Sequence, residues 1–428
     1  MSFQNLTMHK YSSTLSVVAL ILSLTMLIAC DKTPSEHIKT LTEDNYPVAN
    51  MPDEPLETLL EINIEPKRLA MTSSWSAGVK DDGTLWTWGT DGLLRETKTG
   101  QDPTPRQVEG VNDAVAVSGD GSHMLLLRKD GTVWGWGSNN EHQIDPNDKD
   151  TFIEELREIK EIKDVVDIVA GSDNSLFVLA NGDVYALGSN NFGLINGRTA
   201  KHLDKPTRIN GFQSIVSIDL TIGSILALSE EGEVFTTGLR TTQTGILDIE
   251  PKRNDRGELY YPPNKVELPS KAVSLADSNG RVVLLDNGSV YSWGNSVNGE
   301  TAQGTTSKDF SVPTKIQGLN KVVAISDSAA NTVNGKLFIW GAYATRSNNG
   351  SSMNYYTNPI EIMNNIHVEQ FVRGNSFHGF IDNNGYAWFW GNNRYGEKGT
   401  GKVQTEEYIT EEKLLTPERS LFNIHANR

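Results

Sequence analysis

The stretch that decides the fold runs from Val282 to Gly299, "VVLLDNGSVYSWGNSVNG". An apolar run leads into Asn287-Gly288, an alternating run follows, and Trp293-Gly294 ends it. Looser versions recur as "GVKDDGTLWTWGTDG" (Gly78 to Gly92), "LLRKDGTVWGWGSNN" (Leu126 to Asn140) and "FIDNNGYAWFWGNNRYG" (Phe380 to Gly396). The closing glycine falls at Gly89, Gly137, Gly188, Gly238, Gly294, Gly341 and Gly391, with gaps of 48, 51, 50, 56, 47 and 50 residues. Seven copies at a period near fifty mark a repeat architecture. Trp precedes the glycine at Trp88, Trp136, Trp293, Trp340 and Trp390, whereas Leu187 and Thr237 stand in the third and fourth copies.

Each copy carries its own local logic. Asp-Gly (82–83, 130–131), Asn-Gly (181–182, 287–288, 334–335, 384–385) or Glu-Gly (231–232) separates two β-rich runs. Asn-Gly and Asp-Gly supply the positive φ that tight hairpins need, so each copy reads as two antiparallel strands. A further β-rich run lies upstream ("AVAVSG", "VDIVAGS", "KVVAISDS"), and a loop leads downstream to Pro-x-x-(Ile/Val). That leaves room for about four strands per copy, the strand count of a propeller blade. A lone hairpin is marginal in water, so the units must pack on one another. Seven such units close naturally into a ring.

The phrase resembles the regulator of chromosome condensation repeat, whose pattern runs I-x-x-(I/V)-A-x-G-x-x-H-S-x-x-L-x-x-D-G-x-(V/L)-(Y/W)-x-W-G-x-N-x-x-G-x-L-G. The fifth copy carries it on through "WGNSVNGETAQGTTSKDFSVPTKIQGLNKVVAI", Trp293 to Ile325. The likeness covers residues 66–424, and the resemblance implies an all-β, seven-bladed β-propeller. A generic β-solenoid or another propeller family is the competing reading.

The N-terminus has a different character. Lys10 precedes "SSTLSVVALILSLTMLIAC", an apolar run that ends at Cys30, the only cysteine of the chain. An apolar core after a positive charge is a secretory signal pattern. Leu27-Ile28-Ala29-Cys30 resembles a bacterial lipobox, which implies cleavage after residue 29 and lipidation of Cys30 with diacylglycerol and an acyl chain such as palmitate. Met8 is an alternative start, and an uncleaved membrane anchor is the alternative to a lipoprotein. Asp31 resembles the residue that retains lipoproteins at the inner membrane. Residues 30–65, acidic and proline-bearing, read as a tether with a reach of roughly 30 Å. Within it, "LETLLEINI" reads alternatively as a short ordered piece packed on the ring.

Composition narrows the partners. Against 54 acidic residues stand 38 basic ones, a formal net charge of −16, which opposes nucleic-acid binding because that needs a basic footprint. The eight histidines form no His-x-x-x-His pair, so no metal site is expected. No nucleophile elbow or phosphate loop is present, and no cofactor or catalytic residue is expected. "DPNDKD" (145–150) lacks the central glycine and terminal glutamate of a calcium loop. "FIEELREIKEIKD" (152–164) reads either as a helical turn facing a partner or as a connection between blades.

Eight residues before each turn glycine, where the repeat pattern has His, stand Trp75, His123, Asn174, Ser224, Gly280, Asp327 and Phe377. Closing the ring makes copies seven, one and two neighbours. Trp75, His123 and Phe377, with His378 next in sequence, then read as an aromatic patch around the channel, at the ends of the innermost strands. Packing between blades is the competing reading. A second candidate is the longest excursion from the repeat, whose centre joins Arg253 and Arg256 to Tyr260 and Tyr261. The loop from Tyr343 to Asn358 is a third.

The functional expectation is a non-catalytic, membrane-anchored binding propeller. It would engage an unidentified protein in the bacterial cell envelope, facing the periplasm or the cell exterior. No small GTPase is expected as partner, although the family's best-known members act on one. The alternatives are a polysaccharide- or peptidoglycan-active lyase or glycosidase, and an envelope-assembly scaffold.

Overall fold

The computed structural model describes residues 56–425 except 57, 91–93, 95–99, 191–194, 196–200, 222–223, 240–249, 254–256, 258, 278–279, 348–349, 374–376 and 406–409. The signal, Cys30 and Arg256 therefore lie outside the described residues.

Seven antiparallel sheets follow one another along the chain, each built from contiguous sequence. Blade 1 is Leu69–Met71, Trp75–Val79, Leu85–Gly89 and Asp102–Gln107, hydrogen-bonded in that order. The first strands of blades 2 to 7 are Ala114–Asp120, Val165–Ala170, Ile215–Thr221, Ala272–Asp277, Val322–Ile325 and Val368–Arg373. Each first strand neighbours the first strand of the next blade, and blade 7 returns to blade 1. The first strands are thus the innermost, and residues from all seven line an axial cavity of about 490 Å³. The seven-bladed all-β propeller expected from the repeat is the fold observed.

The opening phrase now has a physical meaning. Its two β-runs are the second and third strands of a blade, as in Gly280–Leu285 pairing with Val290–Gly294. The hairpin glycine between them does two jobs. It takes a positive φ, between 74° and 81° at Gly83, Gly131, Gly182, Gly232, Gly288, Gly335 and Gly385. Its carbonyl also accepts a hydrogen bond from the chain entering the next blade. The donors are the amides of Ala114 (to Gly83, 3.0 Å), Val165 (Gly131, 3.2 Å), Ile215 (Gly182, 3.2 Å), Ala272 (Gly232, 2.9 Å), Val322 (Gly288, 3.2 Å) and Ile366 (Gly335, 3.0 Å).

At the step from blade 7 back to blade 1, the segment around Ile424 fills that role. Ile424 donates to Gly385 (2.8 Å) and accepts from the amide of Asp81 in blade 1 (2.8 Å). Phe422 stacks on Trp88 with centroids 5.2 Å apart, and Trp88 also meets Phe389 edge-on at 6.4 Å. His425 Nδ1 lies 2.7 Å from Asp81 Oδ2. Aromatic packing and hydrogen bonds, rather than a shared strand, close the ring.

Three sequence expectations change in detail. The excursion after the fourth copy is not a free insertion: Leu259–Val266 is the fourth strand of blade 4, and Lys252–Arg253 adds a fifth. The polar loop of the sixth copy is the extended arm of Leu337–Ser347 and Gly350–Met363, paired to the tip. Phe152–Glu158 is the outer strand of blade 2, which leaves residues 159–164 as the connection to blade 3. In Phe152–Glu158 the alternation that signals a strand was hidden by charged residues on both sides, because this outermost strand is largely exposed.

A methyl group on Gly182 would lie 2.6 Å from Ser214 Cα, whereas one on Gly110 (φ 77°) meets nothing within 4 Å. Denaturant unfolding should show Gly110→Ala costing about 1 kcal/mol from backbone strain alone. Gly182→Ala should cost about 1–3 kcal/mol more from overpacking against blade 4; equal losses would remove the inter-blade contact from the account.

Candidate functional site

The aromatic-glycine pair opens a loop whose polar residues are spent within the ring. Two positions after the glycine, Asn139 Oδ1 accepts from the amides of Ile144 and Asp145, each at 3.0 Å. Asn190 does the same for Ile195 (3.0 Å) and Asn393 for Lys398 (3.0 Å). Blade 5 has Ser296 there, whose hydroxyl donates to Thr305 O (2.9 Å) and accepts from Thr301 Oγ1 (2.7 Å). A carboxylate or amide further on folds the loop back: Glu300 accepts from the amide of Asn298 (2.8 Å) and Glu397 from that of Tyr395 (2.8 Å). Burial pushes the Glu397 carboxyl above its ordinary range.

The tightened loop then offers its main-chain carbonyl to the next blade. Trp340 Nε1 donates to Glu300 O (2.9 Å), and Trp88 Nε1 (2.7 Å) and Ser76 Oγ (2.8 Å) both donate to Glu397 O. Ser175 Oγ donates to Gln143 O (2.6 Å). Ser76 and Ser175, at the Ser position of the repeat pattern, and the repeat tryptophans Trp88 and Trp340 are thus inter-blade donors. The sequence shows these residues as a pattern without showing this role; the recurrence of Trp in five copies and Ser in three, at a fixed offset from the turn, was the available signal.

The rings that the repeat spacing brought together are buried. Trp75, His123 and Phe377 are 3%, 0% and 0% exposed. They begin the second strands, one step out from the axis, rather than ending the innermost ones. Trp75 packs with Met124 and Trp136 between blades 1 and 2, and Phe377 packs with Trp88 and Phe389 between blades 7 and 1. His123 Nε2 lies 3.0 Å from Ser175 Oγ, between blades 2 and 3. Three successive interfaces hold the three rings, so they form no exposed patch. The physical reason is that a blade is covered on both faces: Phe377 packs towards blade 1 and the following His378 towards Tyr343 of blade 6. His378, pointing the other way, is half-buried, stacked on Trp390 at 5.3 Å and near Tyr343 at 5.6 Å.

Of the second candidate, Arg253 lies exposed on the fifth strand of blade 4 and donates to Gly257 O. Tyr260 and Tyr261 are half-buried, opposite Leu239 and Gly238 on the neighbouring strand.

Exposed apolar side chains gather elsewhere. Met353 and Tyr355 are 46% and 41% exposed and share one face of the blade 6 arm, while Tyr356 points inward and is buried. The tight loop of blade 5 abuts the foot of this arm. Gly304 N donates to Thr357 O (2.8 Å), and Val297 in the same loop is 54% exposed. Among the described residues, no group of three His, Cys, Asp or Glu side chains is placed to hold a metal ion.

Comparison with known proteins falls on the repeats. Profiles described as "Regulator of chromosome condensation (RCC1) repeat" match residues 114–143, 165–194 and 287–333. The chain carries RCC1 repeats. It is similar to RCC1 domain-containing protein RUG3, mitochondrial, of Arabidopsis thaliana, 26% identical over 271 residues, 58% of this chain and 60% of that protein. The match therefore spans less than two thirds of that relative. Human WBSCR16 superposes with a TM-score of 0.63 at 22% identity, covering 77% of this chain and 87% of that one. Prp20p of Saccharomyces cerevisiae does so at 0.61 and 20% identity, covering 84% and 87%. At these identities the superpositions establish the fold of the RCC1 repeats and nothing beyond it.

Burial lowers the pKa of His123 from 6.5 to about 3. The folded state keeps this ring neutral while the unfolded chain takes a proton, so stability is lost as pH falls from 6.5 towards 3. Between about pH 7.5 and about pH 5 this residue should account for about 2 kcal/mol of lost stability. His123→Phe, the ring that blade 7 carries at the same place, should flatten that dependence by this amount in urea titrations at the two pH values. An unchanged slope would show that the ring is not neutral and buried.

Proposed function

We propose that this chain is a non-catalytic binding propeller that presents the outer face of its ring to a protein partner. It is anchored to a bacterial envelope membrane through lipid on Cys30, with Asp31 favouring the inner membrane. The observation that carries the binding reading is the contrast between the repeat residues, which are consumed in holding blades together, and Val297, Met353 and Tyr355, which stand exposed on adjoining elements. Aromatic and methionine side chains on a rigid scaffold suit a protein interface. Prp20p, whose ring has this fold, binds Gsp1p and histones, which supports a protein partner for a ring of this kind. A formal charge of −16 speaks against nucleic acid, and an exported chain would not meet a cytoplasmic small GTPase.

Two measurements test the reading. Metabolic labelling with a palmitate analogue should mark the wild type and leave Cys30→Ser unmarked; an unmarked wild type would refute lipid anchoring. Crosslinking in cells with capture on a C-terminal tag should recover one protein in near-stoichiometric amount. Met353→Asp/Tyr355→Asp should lose it at unchanged abundance and melting temperature. If only Tyr260→Ala/Tyr261→Ala loses it, the interface belongs to blade 4. Recovery of no protein partner would overturn the binding function and promote glycans as the ligand class.

A further inference from the structure

The residues just before blade 1 cross the ring. Leu56 sits over the hairpin of blade 5, where a methyl on Gly288 would lie 2.7 Å from Leu56 Cδ1. Leu60 N donates to Asp286 O in the same hairpin (2.7 Å). Leu60 and Ile62 are half-buried against the core between blades 5 and 6. Glu61, Asn63, Ile64 and Glu65 then line the axial cavity together with the inner strands. Beyond the axis, Gln370 of blade 7 accepts from Arg68 N (2.7 Å) and donates to Pro66 O (3.4 Å). Val117 of blade 2 donates to Lys67 O (2.7 Å). Lys67 Nζ reaches blade 3, 2.8 Å from Asp167 Oδ1 and 3.0 Å from Ile168 O.

Blades 5 and 1 stand on opposite sides of a seven-membered ring, so this segment spans the mouth of the cavity on the hairpin side. The inner strands bring Asp120, Asp167, Asp219, Asp277, Asp327 and Glu369 to the cavity, and Lys67 is the only cation among its described lining residues. The side chain that latches the segment is therefore electrostatically matched to where it lands. The attachment is nevertheless slight compared with a blade interface. It consists of a few hydrogen bonds, the ion pairs of Lys67 with Asp167 and Arg68 with Asp81, and the half-buried side chains of Leu56, Leu60 and Ile62, while Leu59 and Ile64 face solvent at 62% and 39% exposure.

We propose that residues 58–68 form a detachable strap, a cover over the hairpin-side mouth that lifts off as a unit while the ring stays folded. Elements with few buried apolar contacts open at lower free energy than the global fold, and this one meets that description while being stapled at both ends. Lifting it opens the cavity and uncovers Asp167, Glu369 and the apolar seats of Leu60 and Ile62 on blades 5 and 6. Because the chain upstream of residue 58 continues directly into the strap, any pull on that segment acts on the cover first.

Hydrogen exchange on the full-length wild type, across a series of low denaturant concentrations, tests this without altering the chain. Leu60 N and Val117 N, both donors in strap contacts, should exchange at least about tenfold faster than Leu226 N in the second strand of blade 4. They should also show weaker denaturant dependence. In Lys67→Ala/Gln370→Ala, exchange at Leu60 and Val117 should rise a further tenfold or so, the effect of a loss of about 1.4 kcal/mol, with Leu226 and the melting temperature unchanged. If Leu60 and Val117 exchange only with the global unfolding of the wild type, or if the variant accelerates Leu226 in parallel, the strap is an integral part of the ring. Unchanged exchange at both sites in the variant would show that the proposed latch does not hold it.

Discussion

A hairpin carbonyl that accepts the first amide of the following blade is the contact on which the ring rests. It occurs at six blade-to-blade steps and is imitated at the seventh by Ile424. Each bond alone is worth about 1 kcal/mol net, and its larger effect is positional. It sets how closely one blade's hairpin approaches the next blade's entering strand, and that approach favours an accepting residue with no side chain. Positive φ and steric approach select glycine twice over at the same position, Gly182 against Ser214 being the clearest case. Everything nearer the axis follows from that spacing, including the cavity between the inner strands.

The second layer of the design is the loop after the Trp-Gly pair. Asn139, Asn190 and Asn393 organise it from inside, and its carbonyls then serve Trp88, Trp340, Ser76 and Ser175 across the blade boundaries. Residue types that often signal chemistry (His123, Glu397, Asn393, Ser175) are here buried and committed to neighbours. A ring built in this way can vary its outer loops and arms without disturbing its joints. The blade 6 arm and the fifth strand of blade 4 are two such variations.

The blade count and hairpins were legible because period, turn chemistry and strand alternation agree in the inner three strands. The fourth strands were less so: in "FIEELRE" charges on both faces of a rim strand remove the apolar alternation, and in "LYYPPNKV" the Tyr-Tyr and Pro-Pro pairs do. The aromatic positions at Trp75, His123 and Phe377 were found by spacing, but spacing along a strand does not say which side of the sheet a residue takes, and burial between blades reversed the surface reading. Met353 and Tyr355 could not be singled out by any repeat argument, since they lie where the repeat is absent. Within the acidic stretch before the propeller, Leu60 and Ile62 of "LETLLEINI" pack on the ring, towards blades 5 and 6.

Joints and surfaces are thus assigned to different residues, and that division is the central claim. A substitution scan from residue 56 onwards, reading cellular abundance and partner capture separately, tests it most directly. Changes at Gly182, Asn393, Ser76 or His123 should lower abundance and capture in proportion, whereas changes at Val297, Met353 and Tyr355 should lower capture at constant abundance. Loss of capture at constant abundance on changing a buried joint residue such as His123 or Trp75 would contradict the account.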